Sequence, residues 1–311
     1  MIGCLTFLCN GKVDVKAWQF NRTAPFFYPG SVEYPGNAYR IGDRMGCKLG
    51  NVIDAVQEIV PSEFVEDWDN SGMQLGDPDW QVERIWVALD PLPEVISAAC
   101  QRDVDLVITH HPLIFKPLTA IDVSTLEGFV IQQALDHHVA IYSAHTNLDR
   151  IKDGVNDVLA SRVGLCNTTS LSSDVVSGNP GFGRIGNLVR PTPLAVLVNN
   201  LKQVLDIAHV KVSGNLDMIV KTVAVCSGSG SSMVRSFFDA GADVFISGDL
   251  KYHDARNFEF ARKALIDIGH FASEHLIVES FAERLNRHFH SKGLILAVEP
   301  YMFEKDPFVI I

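Results

Sequence analysis

Cysteine is sparse: six thiols, at Cys4, Cys9, Cys47, Cys100, Cys166 and Cys226, with no C-x-x-C pair among them. That pattern excludes a disulfide scaffold and disfavours a Cys-rich structural zinc, and it points to a reducing compartment, the cytoplasm. Long apolar runs are missing as well. No stretch reaches the roughly 18 to 20 residues that a bilayer crossing needs. The apolar opening MIGCLTFLC has no basic segment before it and stops too soon for a signal peptide. No membrane association is therefore expected. Positive charge is in deficit, with 26 Lys and Arg against 37 Asp and Glu and a formal charge of -11. This balance argues against a general nucleic-acid binder. The segment GSGSS at 228–232 lacks both the lysine of a P-loop and the G-x-G-x-x-G spacing, so it reads first as a Gly-rich turn.

What is present is the composition of an ordinary globular chain, 47% apolar and 20% charged over 311 residues. That length exceeds what one core usually serves, so two domains are expected. Residues 1–44 mix aromatics, Gly and Pro without a sustained period and read as an N-terminal extension outside the core. From residue 50 the pattern is legible. Val52, Ala55, Val56 and Ile59 share one face of a helix that Asn51 caps and Pro61 ends. Trp68, in the turn-rich loop WDNSG, reads as a core anchor. Strands at 84–90, 105–112 and 139–145 alternate with helices at 92–102 and 125–137. Beyond a Ser/Gly-rich stretch at 167–184 the alternation resumes, with strands at 220–226, 243–250, 265–270 and 293–299 and helices at 193–206, 231–239, 254–264 and 273–290. The fold class is α/β, with functional groups at strand ends. The segment from Ile85 to Pro112 echoes that from Thr222 to Leu250; a duplicated unit accounts for this, and so does the shared need of two β-α-β units to bury similar strands.

Three strand ends carry groups that bind cations. DLVITHHP ends in His110 and His111; SAHTNLD places His145 and Asp149 four residues apart; IGHFASE does the same with His270 and Glu274. Singly, each has an ordinary reading as a cap or a solvated side chain, with Ser273 as a cap and Glu274 in water. Together they offer five nitrogen and oxygen donors, His110, His111, Asp149, His270 and Glu274, with His145 nearby. Five exceed what one tetrahedral ion needs, and carboxylates bridge ions about 3.5 to 4 Å apart, so a two-metal site fits the set. The donors suit Zn, Mn, Fe, Co or Ni and are less suited to Mg. His253, in GDLKYH, is either a contact in the cleft or a surface group.

These motifs, together with WDNSG at 68–72 and GDLKYH at 248–253, resemble the NIF3-like family, a set of dinuclear-metal proteins long labelled "GTP cyclohydrolase 1 type 2 homolog". The resemblance covers roughly 45–299. It implies a NIF3-like fold of two α/β domains with a metal cleft between them and a toroidal homohexamer, and it makes His110, His111, Asp149, His270 and Glu274 the metal ligands. On this basis the chain divides into a first α/β domain at 45–165 and a second at 166–260. Residues 261–299 then return to the first domain to complete the site, and 300–311 form a tail. The expected chemistry is metal-dependent hydrolysis of a small molecule, with His145 as general acid or base. The family label implies opening of a guanine ring, although the same groups serve phosphoester or amide hydrolysis. The rival expectation is a non-enzymatic hexameric adaptor or metal chaperone.

Overall fold

The computed structural model describes residues 46–172 and 180–310. The expected extension at 1–44 and part of the Ser/Gly-rich stretch lie outside the described residues. In the first half, β1 (Cys47–Lys48) leads into α1 (Leu49–Gln57), followed by β2 (Gly72–Leu75), β3 (Gln81–Val82), β4 (Arg84–Ala88), α2 (Pro93–Gln101), β5 (Leu106–Thr109), α3 (Leu126–Asp136), β6 (Ala140–Ser143), α4 (Thr146–Arg150) and α5 (Val155–Val163). The second half contains β7 (Leu165–Ser170), β8 (Arg184–Pro193), α6 (Leu194–Val204), β9 (Lys211–Ser213), β10 (Ile219–Ser229), α7 (Val234–Ala240), β11 (Val244–Gly248), α8 (Tyr252–Phe260), β12 (Ala264–Asp267), α9 (His270–Glu274), α10 (Ile277–Ser291) and β13 (Ala297–Pro300).

Two large sheets result. The first runs β13-β4-β5-β6-β2 and the second β7-β8-β10-β11-β12-β9. In the first, β13, β4, β5 and β6 are parallel and β2 closes one edge antiparallel. Alternate residues of each parallel strand enter different cores. Ile85, Val87, Leu106, Ile108 and Tyr142 pack with α1 and α10 on one face. Trp86, Ala88, Val107 and Ile141 pack with α2 and α3 on the other. A strand's period of two, with helices covering both faces, makes these runs continuously apolar rather than alternating. The second sheet repeats the rule: Val223, Val225, Val244 and Ile246 face one cluster, and Ala224, Cys226 and Phe245 face the other.

Local sequence explains the ends of elements. Pro93 opens α2 at a position whose N–H has no helical partner. The Thr125 hydroxyl accepts the Gly128 N–H at the start of α3. Asn51 is not a cap. The helix α1 starts two residues earlier, at Leu49, where the Leu49 and Gly50 N–H groups donate to the carbonyls of Trp80 and Pro78 at 2.8 and 2.9 Å. Backbone acceptors from the following loop meet the donors that a polar cap would otherwise satisfy. The expected helix at 273–290 is two helices, α9 and α10, and β10 runs on into GSGSS as far as Ser229 before a 3-10 turn. Trp68 is not core either: it is 59% exposed.

The segment after β12 binds the two halves together. α10 and β13 complete the first sheet and its core, while β12 lies in the second. Past β13, the buried Glu304 carboxylate accepts the N–H groups of Leu89 and Asp90, each at 2.8 Å, where β4 ends. Burial pushes this carboxyl up to about 7, above the usual range, against the two N–H bonds that favour its charged form.

Candidate metal centre

Carboxyl ends of parallel strands in both sheets converge on one place. His110 and His111 follow β5, His145 follows β6, and His270 and Glu274 lie on α9 after β12. Asp149 is on α4 and is buried, as are His110 and Glu274. Donor atoms gather in three overlapping sets, each within 4.8 Å: His110, His111 and His145; His111, His270 and Glu274; His110, Asp149 and Glu274. All six residues singled out from the sequence are therefore in one cluster, including His145, whose nitrogen stands among the others. His253 belongs to none of these sets and is exposed on α8.

The orientation of the rings follows from what holds them from behind. His110 Nδ1 donates to the Ala144 carbonyl at 2.9 Å, His111 Nδ1 to Asp90 at 2.7 Å, His145 Nδ1 to Asp69 at 2.8 Å and His270 Nδ1 to Asp249 at 2.8 Å. With Nδ1 committed as a donor, each ring turns its Nε2 to the interior, which is how metal-binding imidazoles are fixed. The inward atoms crowd around one carboxylate. His111 Nε2 and His270 Nε2 lie 3.0 and 2.9 Å from Glu274 Oε2, and 3.4 Å from each other. His110 Nε2 is 3.7 Å from Glu274 and 3.8 Å from Asp149, and it is buried with no hydrogen-bond partner. A buried nitrogen left unpaired among carboxylates costs free energy unless a cation joins it. The residues present thus fit a divalent metal site, with nitrogen and oxygen donors and no sulfur.

The charge state of the metal-free cluster agrees. Burial would lower the His111 imidazole, but hydrogen bonds to Asp90 and Glu274 outweigh it and lift it to about 10. The Glu274 hydrogen bond, opposed by partial burial, lifts His270 to about 9. Burial pushes Asp149 above the usual carboxylate range, whereas the surrounding histidines overcome burial at Glu274 and hold it well below. Protons thus occupy at neutral pH the positions where a cation would sit. Metal uptake at pH 7 should therefore release protons, about one each from His111 and His270, and affinity should climb as pH rises towards 9. Titration calorimetry in two buffers of different ionisation enthalpy measures the number released. The sign for stability is opposite: both folded-state values exceed an unfolded histidine's roughly 6.5, so these pairs stabilise the metal-free fold fully below that value. Their contribution is lost as pH rises through 9 to 10.

Several contributors were not apparent in the sequence. Asp69, Asp90 and Asp249 orient three of the four rings. The Asp69 side chain is fully buried; burial alone would raise it, but hydrogen bonds from His145, Thr146 and Ser71 hold it below the usual carboxylate range. Ser227 donates to Asp149 at 3.0 Å. Ser273, expected as a cap, is buried instead; it accepts the Gly228 N–H at 2.8 Å and donates to the His270 carbonyl at 2.7 Å. Glu274 is buried beside it rather than solvated. Gly228, in the stretch read as a turn, has φ +60° and lies so near the site that a Cβ would fall 2.2 Å from Glu274 Oε1. One regularity was legible in principle. Asp90 precedes His111, and Asp249 precedes His270, by 21 residues in both cases. In each sheet an acid after one strand holds a histidine after the next parallel strand. This relates β4–β5 to β11–β12, one strand on from the echo of β4–β5 in β10–β11 seen in the sequence.

Comparison with known proteins agrees with this geometry. Residues 47–307 match the model of the Duf34/NIF3 (NGG1p interacting factor 3) family. The chain belongs to the Duf34/NIF3 family. A Clostridium perfringens relative named GTP cyclohydrolase 1 type 2 homolog is 31% identical over 265 residues, covering 85% of this chain and 100% of its own length. NIF3-like protein 1 of Drosophila melanogaster is 28% identical, with 88% and 92% of the two chains covered. The crystal structure of a Bacillus cereus protein related to NIF3 superposes with a TM-score of 0.81 at 24% identity, over 86% of this chain and 99% of that one. The mixed α/β architecture, with a His/Asp/Glu cluster between two sheets, is the Duf34/NIF3 fold.

Proposed function

We propose that the chain is a hydrolase dependent on two divalent ions, held by His110, His111, Asp149, His270 and Glu274. The observation that carries this reading is the convergence of the His110, His111 and His270 Nε2 atoms on two buried carboxylates, with His145 grouped beside His110 and His111. Bound divalent ions would supply Lewis acidity and acidify a water molecule at neutral pH. The protein's own part is orientation and proton handling. His145 stands at the edge of the donor set with its Nδ1–H committed to Asp69, so its Nε2 is the atom that accepts or returns a proton. Asp69 keeps that tautomer in place. The relatives' name brings guanine-ring opening to mind, and phosphoester and amide hydrolysis draw on the same groups.

His145→Ala tests this assignment. In the proposed hydrolase it lowers turnover while metal content, by elemental analysis, stays near that of the wild type. A loss of metal equal to that of a His111→Ala control would make His145 a ligand instead. Asp69→Asn should act through His145, lowering turnover by roughly 10–100-fold, the usual effect of removing the outer partner of a metal-site histidine. It should do so without a matching fall in metal content. A metal-binding protein with unchanged metal content and no turnover on any ester, amide or nucleotide would favour the adaptor or chaperone reading. We propose also that the chain assembles as the family's toroidal homohexamer in the cytoplasm. Light scattering should then give a mass near six times the 34.3 kDa of one chain.

A further inference from the structure

Two large aromatic side chains stand in the open at the lip of the cluster. Trp68 is 59% exposed and Phe115 48%, whereas Trp86 in the sheet is 4% exposed. The two pack edge to face, centroids 6.0 Å apart at 61°. Each also meets the His145 ring at near right angles, Trp68 at 6.1 Å and 82° and Phe115 at 6.3 Å and 79°. Their apolar faces are thus fixed against one another but turned to water on the outside. His145 in turn stands 5.1 Å from the His110 ring and 5.6 Å from that of His111. Phe115 also lines a cavity of about 420 Å³ that reaches His111 and Asp90, a volume in the range of small-molecule sites. Loop geometry holds the pair in place. The Asn70 side-chain amide donates to the Ile114 carbonyl at 2.5 Å, joining the loop of Trp68 to that of Phe115.

We propose that Trp68 and Phe115 form a recognition subsite for a flat, uncharged conjugated ring on the substrate of the proposed hydrolase. The ring is a recognition group and not the reacting one. A ring on these faces lies beside the His145 imidazole, and the cavity that Phe115 lines runs on to His111, so the reacting bond is at the His111 end. A cationic group is disfavoured despite the aromatic walls, because the neighbouring donors would hold divalent cations. An apolar planar group gains from dispersion and from offset or edge-on contact with both rings. The substrate class is therefore a metal-coordinating ester or amide that carries an aryl or heteroaryl ring a short linker away.

This inference rests on the proposed metal site, and the experiment separates the two. The probes are ethylphosphonate, 2-phenylethylphosphonate and 2-cyclohexylethylphosphonate, inert anions that coordinate metals but are not hydrolysed. They are titrated against the metal-loaded full chain and its Trp68→Ala and Phe115→Ala variants. The phenyl probe should bind the wild type about tenfold tighter than the ethyl probe and clearly tighter than the cyclohexyl one. Both variants should lose that advantage while ethylphosphonate affinity stays unchanged. Equal affinity for the phenyl and ethyl probes would overturn the subsite and leave the metal site intact. So would an equal gain from phenyl and cyclohexyl, or an advantage that survives both substitutions. Failure of every phosphonate to bind the metal-loaded wild type would overturn the metal-dependent reading, and the subsite with it. A change in particle mass for Trp68→Ala would make the tryptophan a contact between copies of the chain, which also overturns the proposal.

Discussion

Glu274→Ala should abolish stable metal binding altogether. The Glu274 carboxylate lies within 3.0 Å of two inward-facing imidazole nitrogens and 3.7 Å from a third. Among the described residues no other acid replaces it, because Asp149 stands on the His110 side of the cluster, 3.8 Å from that ring. Removing it leaves four histidines with one inner carboxylate, and the negative charge that would balance a bound cation is halved. Losing an outer partner of a ligand costs about 10–100-fold in affinity; losing the ligand itself should cost more. Elemental analysis of the purified variant should find metal well below one equivalent per chain. The metal-free variant should also show His111 and His270 titrating nearer the ordinary imidazole range, since both owe part of their elevation to Glu274. Retention of wild-type metal content would sink the assignment of Glu274 as a metal ligand.

Gly228→Ala should produce nearly the same loss while removing no donor. The added methyl would meet Glu274 Oε1 at 2.2 Å and approach His270 Nε2 to 3.3 Å. The obstacle is not a surface side chain able to swing away: Glu274 is 4% exposed and wedged among the histidines. Backbone relief is poor as well, because the Gly228 N–H is committed to Ser273 and its φ of +60° already disfavours a side chain. Conformational strain of this kind costs about 1–3 kcal/mol, which lowers the melting temperature but does not by itself empty a site. Gly241→Ala is the matched control, with φ +72° and nothing within 4 Å of the new methyl. It should be destabilised by strain yet keep its metal. Equal metal content in the two variants would show that the close approach at Gly228 is not limiting.

The sequence disclosed the donors and concealed what holds them. His110, His111, His145 and His270 are visible because each ends a run of strand-forming residues, and a polar group after such a run sits at a sheet edge whatever the topology. Asp149 and Glu274 are visible because each follows a histidine by four residues, one helical turn away. The outer acids lack any such local signature. Asp69 reaches His145 across 76 residues, through a loop whose course only the packed first sheet determines. Asp90 and Asp249 look like ordinary turn residues until the parallel pairing of their strands places each beside the next strand's histidine. Trp68 reads as core because large aromatics usually bury, and composition does not distinguish an anchor from a face left open at the rim of a site. Asn51 failed as a cap because the Trp80 and Pro78 carbonyls, some thirty residues away, had already met the need at α1.

The distribution of donors along the chain also sets an order of events in biosynthesis. His111 and His270 face each other across 159 residues. At a synthesis rate of about 5–20 residues per second, roughly 8–30 s pass between their emergence. During that interval the nascent chain carries His110, His111, His145 and Asp149, enough to grip a passing ion loosely, but neither Glu274 nor the Glu304 carboxylate that steadies the backbone of Asp90. Tight binding must wait for α9 and the segment beyond β13. Which metal the protein would keep is therefore decided only after residue 304 has been made. Selection would then fall to the ion pool that meets both halves of the site rather than to the one that met the first.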